Sequence, residues 1–398
     1  MNSLLYITDY IEGSPVIASV RYEGIIQHLT SKFDVSVVTN MNFNNYESKY
    51  SRRTLHFKTF ERSLEKLSSN NGSRGHKHNP LYIWMLGKIK VAWKVVKYSK
   101  CVFVWKNRKL IKQINKIIKE ENIKKVLLTV PDIYGIYIID SICKNNNVEI
   151  ITEIRDIISN KIICDNYRIA LKAERVMTSI SDKLIVLSDG IYNKYCDENK
   201  NIRTIMNGYN DIKNIDVTID KNKDDNYVVY SHIGSLYKGR AVREFIIALD
   251  KKAKKNSEKK YVLQFIGFVD SDTYEIINNI ECNELEIRIL GTVSSEKANE
   301  YMISSDYLVI LTHKSGSEYA IPGKTFDYIG AEKPIIAVTN DQPLINLVDN
   351  KFGICVGHDI NDIESGLKKL EVSKYNYENK EEFSRTNQVK KIIEFIEA

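Results

Sequence analysis

Continuous apolar, β-branched runs recur along this chain, separated by amphipathic segments, and nothing else in the sequence limits the fold as strongly. Leu4 to Thr8, Val35 to Thr39, Val126 to Val130, Val148 to Ile154 and Leu184 to Leu187 are unbroken rather than alternating. A strand with one wet face alternates apolar and polar residues, whereas a strand covered on both faces does not. These runs therefore read as strands of a parallel sheet with helices on either side. Ala18 to Leu29, Tyr134 to Cys143 and a stretch ending near Ile180 carry the helical period between them, as right-handed βαβ crossovers require.

The pattern stops in the polar stretch between Asn210 and Asn226, then restarts. Tyr227 to Ile233, a helix from Ala241, Tyr261 to Ile266, Ile287 to Leu290, Leu308 to Leu311, a helix from Gly323, and Ile335 to Val338 repeat the same alternation. A chain of 398 residues exceeds what one core usually organises. The expectation is an α/β protein of two Rossmann-like domains facing a central cleft, 1–208 and 227–378, with a linker at 209–226. The segment 379–398 is helical in pattern and is expected to pack back on the first domain.

Composition narrows the function classes. No apolar run approaches the roughly 20 residues of a membrane-spanning helix, and the opening residues MNSLLYITDYIEG lack the basic start and small-residue cleavage site of a signal peptide. A cytoplasmic location is expected. The six cysteines, Cys101, Cys143, Cys164, Cys196, Cys282 and Cys355, form no Cys-x-x-Cys pair and suggest free thiols without a zinc site. The net charge of +7 comes with no zinc finger, RNA-binding signature or basic tail, so nucleic acid is disfavoured as a partner. One segment, 76–120, mixes Trp84, Trp93 and Trp105 with Lys88, Lys90, Lys94, Lys97 and Lys100. Two readings stand for it: a helix docking on anionic lipid at the inner face of the plasma membrane, or an ordinary amphipathic helix with a solvated basic face.

The strongest chemical constellation runs from Glu318 and Tyr319 through Ile321-Pro322-Gly323-Lys324-Thr325-Phe326-Asp327-Tyr328. It follows an apolar strand and opens a helix. Pro322 suits a first helical position and Gly323 permits close backbone approach, leaving N–H groups free for a phosphate with Lys324 adding charge. Asp327 lies on the same face and suits ribose hydroxyls. The second constellation, His232-Ile233-Gly234-Ser235-Leu236-Tyr237-Lys238-Gly239-Arg240, carries the first strand of the second domain into a glycine-containing loop. Ligands of open α/β sheets gather at such strand ends, where Lys238 or Arg240 can neutralise a departing diphosphate. His232 and His313 fall on strand ends nearby, as phosphate donors or as satisfied structural histidines.

In the first domain, Ser14 and Arg21 flank the loop after the first strand, and Arg155-Asp156 follow the strand Val148 to Ile154. They can shape an acceptor site, or Arg155 and Asp156 can brace the strand end as a buried ion pair. Asp270-Ser271-Asp272 has the Asp-x-Asp look of a metal site but is placed to cap a helix, and Pro131-Asp132 reads as turn chemistry. No metal is expected.

Together these stretches, with Tyr6 to Tyr10, Ile154-Arg155-Asp156, Val186-Leu187-Ser188 and Met206 to Asn210, resemble the family 4 glycosyltransferases of bacterial envelope-polysaccharide synthesis, which carry a Pro-x-Lys-x-x-Glu-Tyr type of motif. The resemblance implies a GT-B fold and retaining, metal-independent transfer of a sugar from a nucleoside diphosphate sugar to a hydroxyl of a glycan or lipid-linked acceptor, as in capsule or O-antigen assembly. No cofactor is implied. Lys238, Lys324 and Arg240 take the catalytic positions. Gly234, Ser235, His313, Glu318, Tyr319, Pro322, Gly323, Thr325 and Asp327 take the donor positions, with Ser14, Arg21, Arg155 and Asp156 on the acceptor side. Two departures stand out: Asp327 replaces the family's ribose glutamate, and Ser235 stands where many relatives have arginine. A nucleotide-sugar 2-epimerase and a non-catalytic membrane-associated scaffold are the rival readings.

Overall fold

The computed structural model describes residues 2–14, 18–59, 96–130, 132–160, 166–210, 226–316 and 319–398. They form two compact units. The first comprises Met1–Val186, Tyr195–Arg203 and Ile392–Ala398, the second Leu187–Lys194 and Thr204–Lys391. The boundary thus departs from a single break near residue 208. Leu187–Lys194 join the second unit because the Ser188 hydroxyl donates to the Tyr319 carbonyl, and a Cβ on Gly190 would lie 2.5 Å from the Tyr319 Cα. Most of the expected linker, 211–225, lies outside the described residues.

The first unit is a seven-stranded sheet in the order β3-β2-β1-β4-β5-β6-β7. Its strands are β1 Asn2–Ile7, β2 Phe33–Asn40, β3 Arg53–Phe57, β4 Lys125–Val130, β5 Glu149–Ile154, β6 Lys183–Val186 and β7 Ile202–Thr204. In β4 the consecutive residues Val126 to Val130 are all buried, as a strand covered on both faces demands. The edge strand β3 escaped the sequence reading, since Arg-Thr-Leu-His-Phe is short and half polar. In the C-terminal helix Arg385–Glu397, residues from Ile392 belong to this unit. The Ile396 carbonyl accepts from Lys125 Nζ, and Arg203 sits 4.9 Å over the Phe395 ring.

The second unit is a six-stranded sheet in the order β10-β9-β8-β11-β12-β13. Its strands are β8 Tyr227–Ile233, β9 Lys260–Ile266, β10 Leu285–Gly291, β11 Tyr307–Leu311, β12 Ile335–Val338 and β13 Gly353–Val356. Val309 and Leu311 enter one buried apolar cluster while Leu308 and Ile310 enter the other, so both faces of β11 are packed. The strand order turns back on itself between β8 and β11. That is a topological switch point, where the loops leaving two adjacent parallel strands part and leave a crevice at their carboxyl ends.

In the described part of the basic segment, the helix Arg108–Glu120 buries Ile111, Ile114, Ile117 and Ile118. Its apolar face is spent on the core of the unit rather than left for lipid, while Trp105 is exposed. Residues 76–95 lie outside the described residues, and among the described residues no helix is long and apolar enough to cross a membrane.

The buried ion pair expected of Arg155 and Asp156 forms elsewhere. Arg21 pairs with Glu153 of β5, both side chains almost wholly buried, and Thr129 Oγ1 donates to the second carboxylate oxygen at 3.0 Å. Arg155 instead donates to the Tyr22 hydroxyl at 2.8 Å, and Asp156 is exposed. Removing one partner of a buried pair strands the other's charge. In urea unfolding, Arg21→Met is expected to cost about 3–5 kcal/mol, and Arg21→Met with Glu153→Met to recover most of it.

Candidate functional site

Two loops at the switch point of the second unit meet through their backbones. Gly234, just past β8, has φ 111° and donates its N–H to the Ile266 carbonyl at 2.7 Å. A Cβ on Gly234 would lie 3.0 Å from Lys324 Nζ, and one on Gly267 would lie 2.7 Å from the Gly234 carbonyl carbon. Only residues without a side chain allow this approach. The loop continues through Leu236, which pairs with Val269, to Arg240, which pairs with His313 beyond β11. Gly239 has φ 91°, and a Cβ there would meet His313 Nδ1 at 3.1 Å.

This geometry brings Lys324 and Arg240 into one electrostatic neighbourhood. Lys324 Nζ is 3.0 Å from His232 Nε2. Arg240 Nη1 donates to the Ser235 carbonyl at 3.1 Å, and its buried Nε has no hydrogen-bond partner among the described residues. Neither cation forms an ion pair with a described residue. The Lys324 ammonium is held well below the usual lysine range by burial first and by the Arg240 charge second. Arg240 is lowered by burial. Two desolvated cations without a bonded carboxylate make a site that favours an anion.

Lys238 is placed differently. Its side chain is 70% exposed, its Nζ is bound to Asp272 at 2.8 Å, and its backbone N–H donates to Asp270. Asp270 also caps the helix Ser271–Asn278 by accepting from Thr273 N–H at 2.8 Å, so both acids of the Asp-Ser-Asp stretch have structural partners. Thr325 is wholly buried, and Glu318 lies outside the described residues.

The helix bearing Lys324 keeps only part of its opening free. It spans Lys324–Gly330, a short helix preceded by Gly323, and the Thr325 and Phe326 N–H groups already bond the Pro322 and Gly323 carbonyls at 3.0 and 3.2 Å. The Gly323 and Lys324 N–H groups have no backbone partner among the described residues, so the helix opening keeps two donors beside the side-chain charge.

Asp327, one turn on, is partly buried. Burial pushes its carboxyl up to about 6 against the pull of Arg385 and Lys324. Arg385, whose Nε donates to Asn210 Oδ1, was not among the residues picked from sequence, nor was Asn207, whose Nδ2 would lie 3.6 Å from a Cβ on Gly323. Arg385 lies far from this helix in the chain and belongs to no local motif. His313, half-buried, is lowered by its own burial and by Arg240.

The acceptor-side residues of the first unit are largely engaged. Ser14 is buried, with its hydroxyl on the Ile11 carbonyl at 2.8 Å, and Arg21 is paired as described. Arg155 stacks 5.1 Å over Tyr22, and its buried Nε has no hydrogen-bond partner among the described residues. Asp9, within the Tyr6 to Tyr10 stretch after β1, is only 4% exposed, and its carboxyl is raised by burial and by Asp132. Asp132 caps the helix Ile133–Ile142, which is the turn chemistry its Pro-Asp context suggested.

No family model matches the chain, and no curated protein matches it in sequence. Its fold has clear counterparts. It is similar to sucrose-phosphate synthase from Thermosynechococcus elongatus, with TM-score 0.66 and 12% identity over 100% of this chain and 98% of that one. It is similar to Anabaena HepE in complex with UDP and glucose, with TM-score 0.63 and 12% identity over 100% of both chains. It also resembles UDP-GlcNAc 2-epimerase from Methanocaldococcus jannaschii, with TM-score 0.54 and 13% identity over 99% of both chains. The fold is GT-B. Two parallel Rossmann-like sheets of seven and six strands carry it.

The Asp327 carboxyl generates a test. The folded carboxyl keeps its proton up to about pH 6, whereas an ordinary aspartate releases it near 3.8. The native state therefore binds the extra proton between those values and loses stability as pH rises through them. Asp327→Asn is expected to be more stable than wild type by about 2 kcal/mol at pH 7, with the difference fading toward pH 4 in urea titrations.

Proposed function

We propose that this protein is a nucleotide-sugar-dependent glycosyltransferase of the family 4 type. The observation that carries the reading is the pair Lys324 and Arg240, two desolvated cations without a bonded carboxylate at the switch point of the second unit. A diphosphate is the complement of such a pair. In this reading Lys324 and Arg240 hold the two phosphates and offset the charge that grows on them as the bond to the sugar breaks. Lys238 is a peripheral cation that can reach the ligand only by leaving Asp272. Asp327 accepts hydrogen bonds from ribose hydroxyls. Ionised, it gains more from them than a neutral amide would.

The acceptor hydroxyl attacks the anomeric carbon, and the leaving phosphate takes the proton, so configuration is retained and no protein base is assigned. The chain's own cations supply the charge stabilisation, and the donor is a substrate rather than a cofactor. The first unit, with Arg155 and Asp156, receives a glycan or lipid-linked acceptor of cell-envelope polysaccharide synthesis at the cytoplasmic face of the membrane. The fold likeness to HepE bound to UDP and glucose supports a uridine nucleotide as the first donor to try.

A second reading is favoured by the likeness to UDP-GlcNAc 2-epimerase. Nucleotide release separates the two. A transferase liberates the nucleoside diphosphate in proportion to added acceptor, whereas an epimerase interconverts the sugar with no acceptor present.

UDP at a hundred times its dissociation constant stabilises a single-site protein by about 2.7 kcal/mol. A rise of about 5–11 °C in melting temperature is expected for the second unit. Lys324→Ala is expected to abolish that rise and to cut turnover by about 100-fold or more while leaving the unliganded melting temperature within a few degrees. Equal turnover in the two proteins would remove Lys324 from the proposed role.

A further inference from the structure

His232 is the last but one residue of β8 and is completely buried. Its Nδ1 lies 3.0 Å from the Val309 carbonyl on the neighbouring strand β11, and its Nε2 lies 3.0 Å from Lys324 Nζ. A carbonyl only accepts, so Nδ1 carries the proton. In a neutral ring Nε2 is then left as a bare acceptor. Burial first, then the Lys324 and Arg240 charges, hold its pKa well below the usual range against the Val309 and Ser235 carbonyls beside the ring, and the ring stays neutral. The imidazole therefore takes one hydrogen bond from the ammonium and repels none of its charge.

An ammonium has three donors. Among the described residues His232 is the only hydrogen-bond partner of Lys324, so two N–H bonds remain for a ligand. The point at which they are offered is beside the glycine step, because Lys324 Nζ lies 3.0 Å from where a Gly234 Cβ would stand. A flexible lysine stem has many rotamers, and freezing one before the ligand arrives removes that cost from binding.

We propose that His232 is a positioning residue that clamps the Lys324 ammonium over Gly234 and thereby sets the affinity of the second unit for a diphosphate. The proposal rests on the nucleotide-sugar reading above for the identity of the ligand. It needs no phosphate contact from His232 itself. Nor does it need His232 to change protonation during the reaction.

Two substitutions separate the bonds of the ring. His232→Asn keeps a short-reach donor for the Val309 carbonyl but has nothing at the Nε2 position. His232→Gln reaches that position with an amide oxygen that can accept from Lys324. Calorimetric titration with UDP, UMP and uridine is expected to show His232→Asn losing about tenfold in UDP affinity, less for UMP and nothing for uridine. His232→Gln is expected to recover to within about threefold of wild type. In a Lys324→Met background, His232→Asn should make no further difference. Loss of uridine affinity equal to that of UDP would mean a general disturbance of the fold and overturn the proposal. So would a full tenfold loss persisting without the lysine, or no loss at all.

A nucleotide-free measurement keeps the two readings distinguishable. Lys324 modification by trinitrobenzenesulfonate, followed by mass spectrometry of the modified peptide, is expected to speed up severalfold in His232→Asn and to stay slow in His232→Gln. If UDP fails to bind the wild type while this contrast holds, the clamp stands and the nucleotide reading falls. If UDP binds and the contrast is absent, the clamp falls alone.

Discussion

An ammonium and a guanidinium share the end of β8 without a carboxylate bonded to either, and the chemistry of the second unit follows from that unbalanced charge. Desolvating a cation is costly, and proteins ordinarily offset it with a bonded acid. Here Lys324 receives a neutral imidazole and Arg240 a backbone carbonyl. Both are dipoles that orient a cation without cancelling it. Asp327 is near enough to be felt but makes no ion pair with Lys324, and its own carboxyl is raised rather than lowered. In the proposed function, the phosphate oxygens of the donor would supply that counter-charge.

Sheet topology places the cations there. β8 and β11 are neighbours although the chain visits β9 and β10 between them, so the loops after β8 and β11 leave in different directions. Glycines at 234, 239 and 267 with positive φ let these loops close on one another without side chains filling the gap. In the first unit several polar groups near the strand ends are already engaged. Glu153 gathers Arg21 and Thr129 into a buried network, and Ser14 folds back on its own turn. Polar residues that look available in a sequence are there consumed by the fold.

Much of the architecture was legible. The unbroken apolar runs located ten of the strands within a residue or two, because burial on both faces writes itself directly into composition. β3, β7 and β13 were not seen, as short or peripheral strands bury too little to leave a run. Lys324, Asp327, Gly234 and Arg240 were legible as two local motifs. Lys238 was legible only as a lysine in the right loop, and its engagement with Asp272 depends on a helix more than thirty residues on. The open helix N-terminus was inferred from Pro322 and Gly323; the first turn bonds the Thr325 and Phe326 N–H groups back to them and leaves those of Gly323 and Lys324 without a backbone partner among the described residues.

The sequence by itself determined that there are two α/β units and that glycine, lysine and aspartate stand at strand ends of the second. Periodicity and backbone freedom are local properties, read over a few residues. Only the tertiary structure decided which cations lack a counter-ion. That depends on partners such as His232, Val309 and Arg385, brought in by strand order from distant parts of the chain. Charge balance in a buried site is a sum over neighbours in space, and neighbours in space are what folding alone assigns.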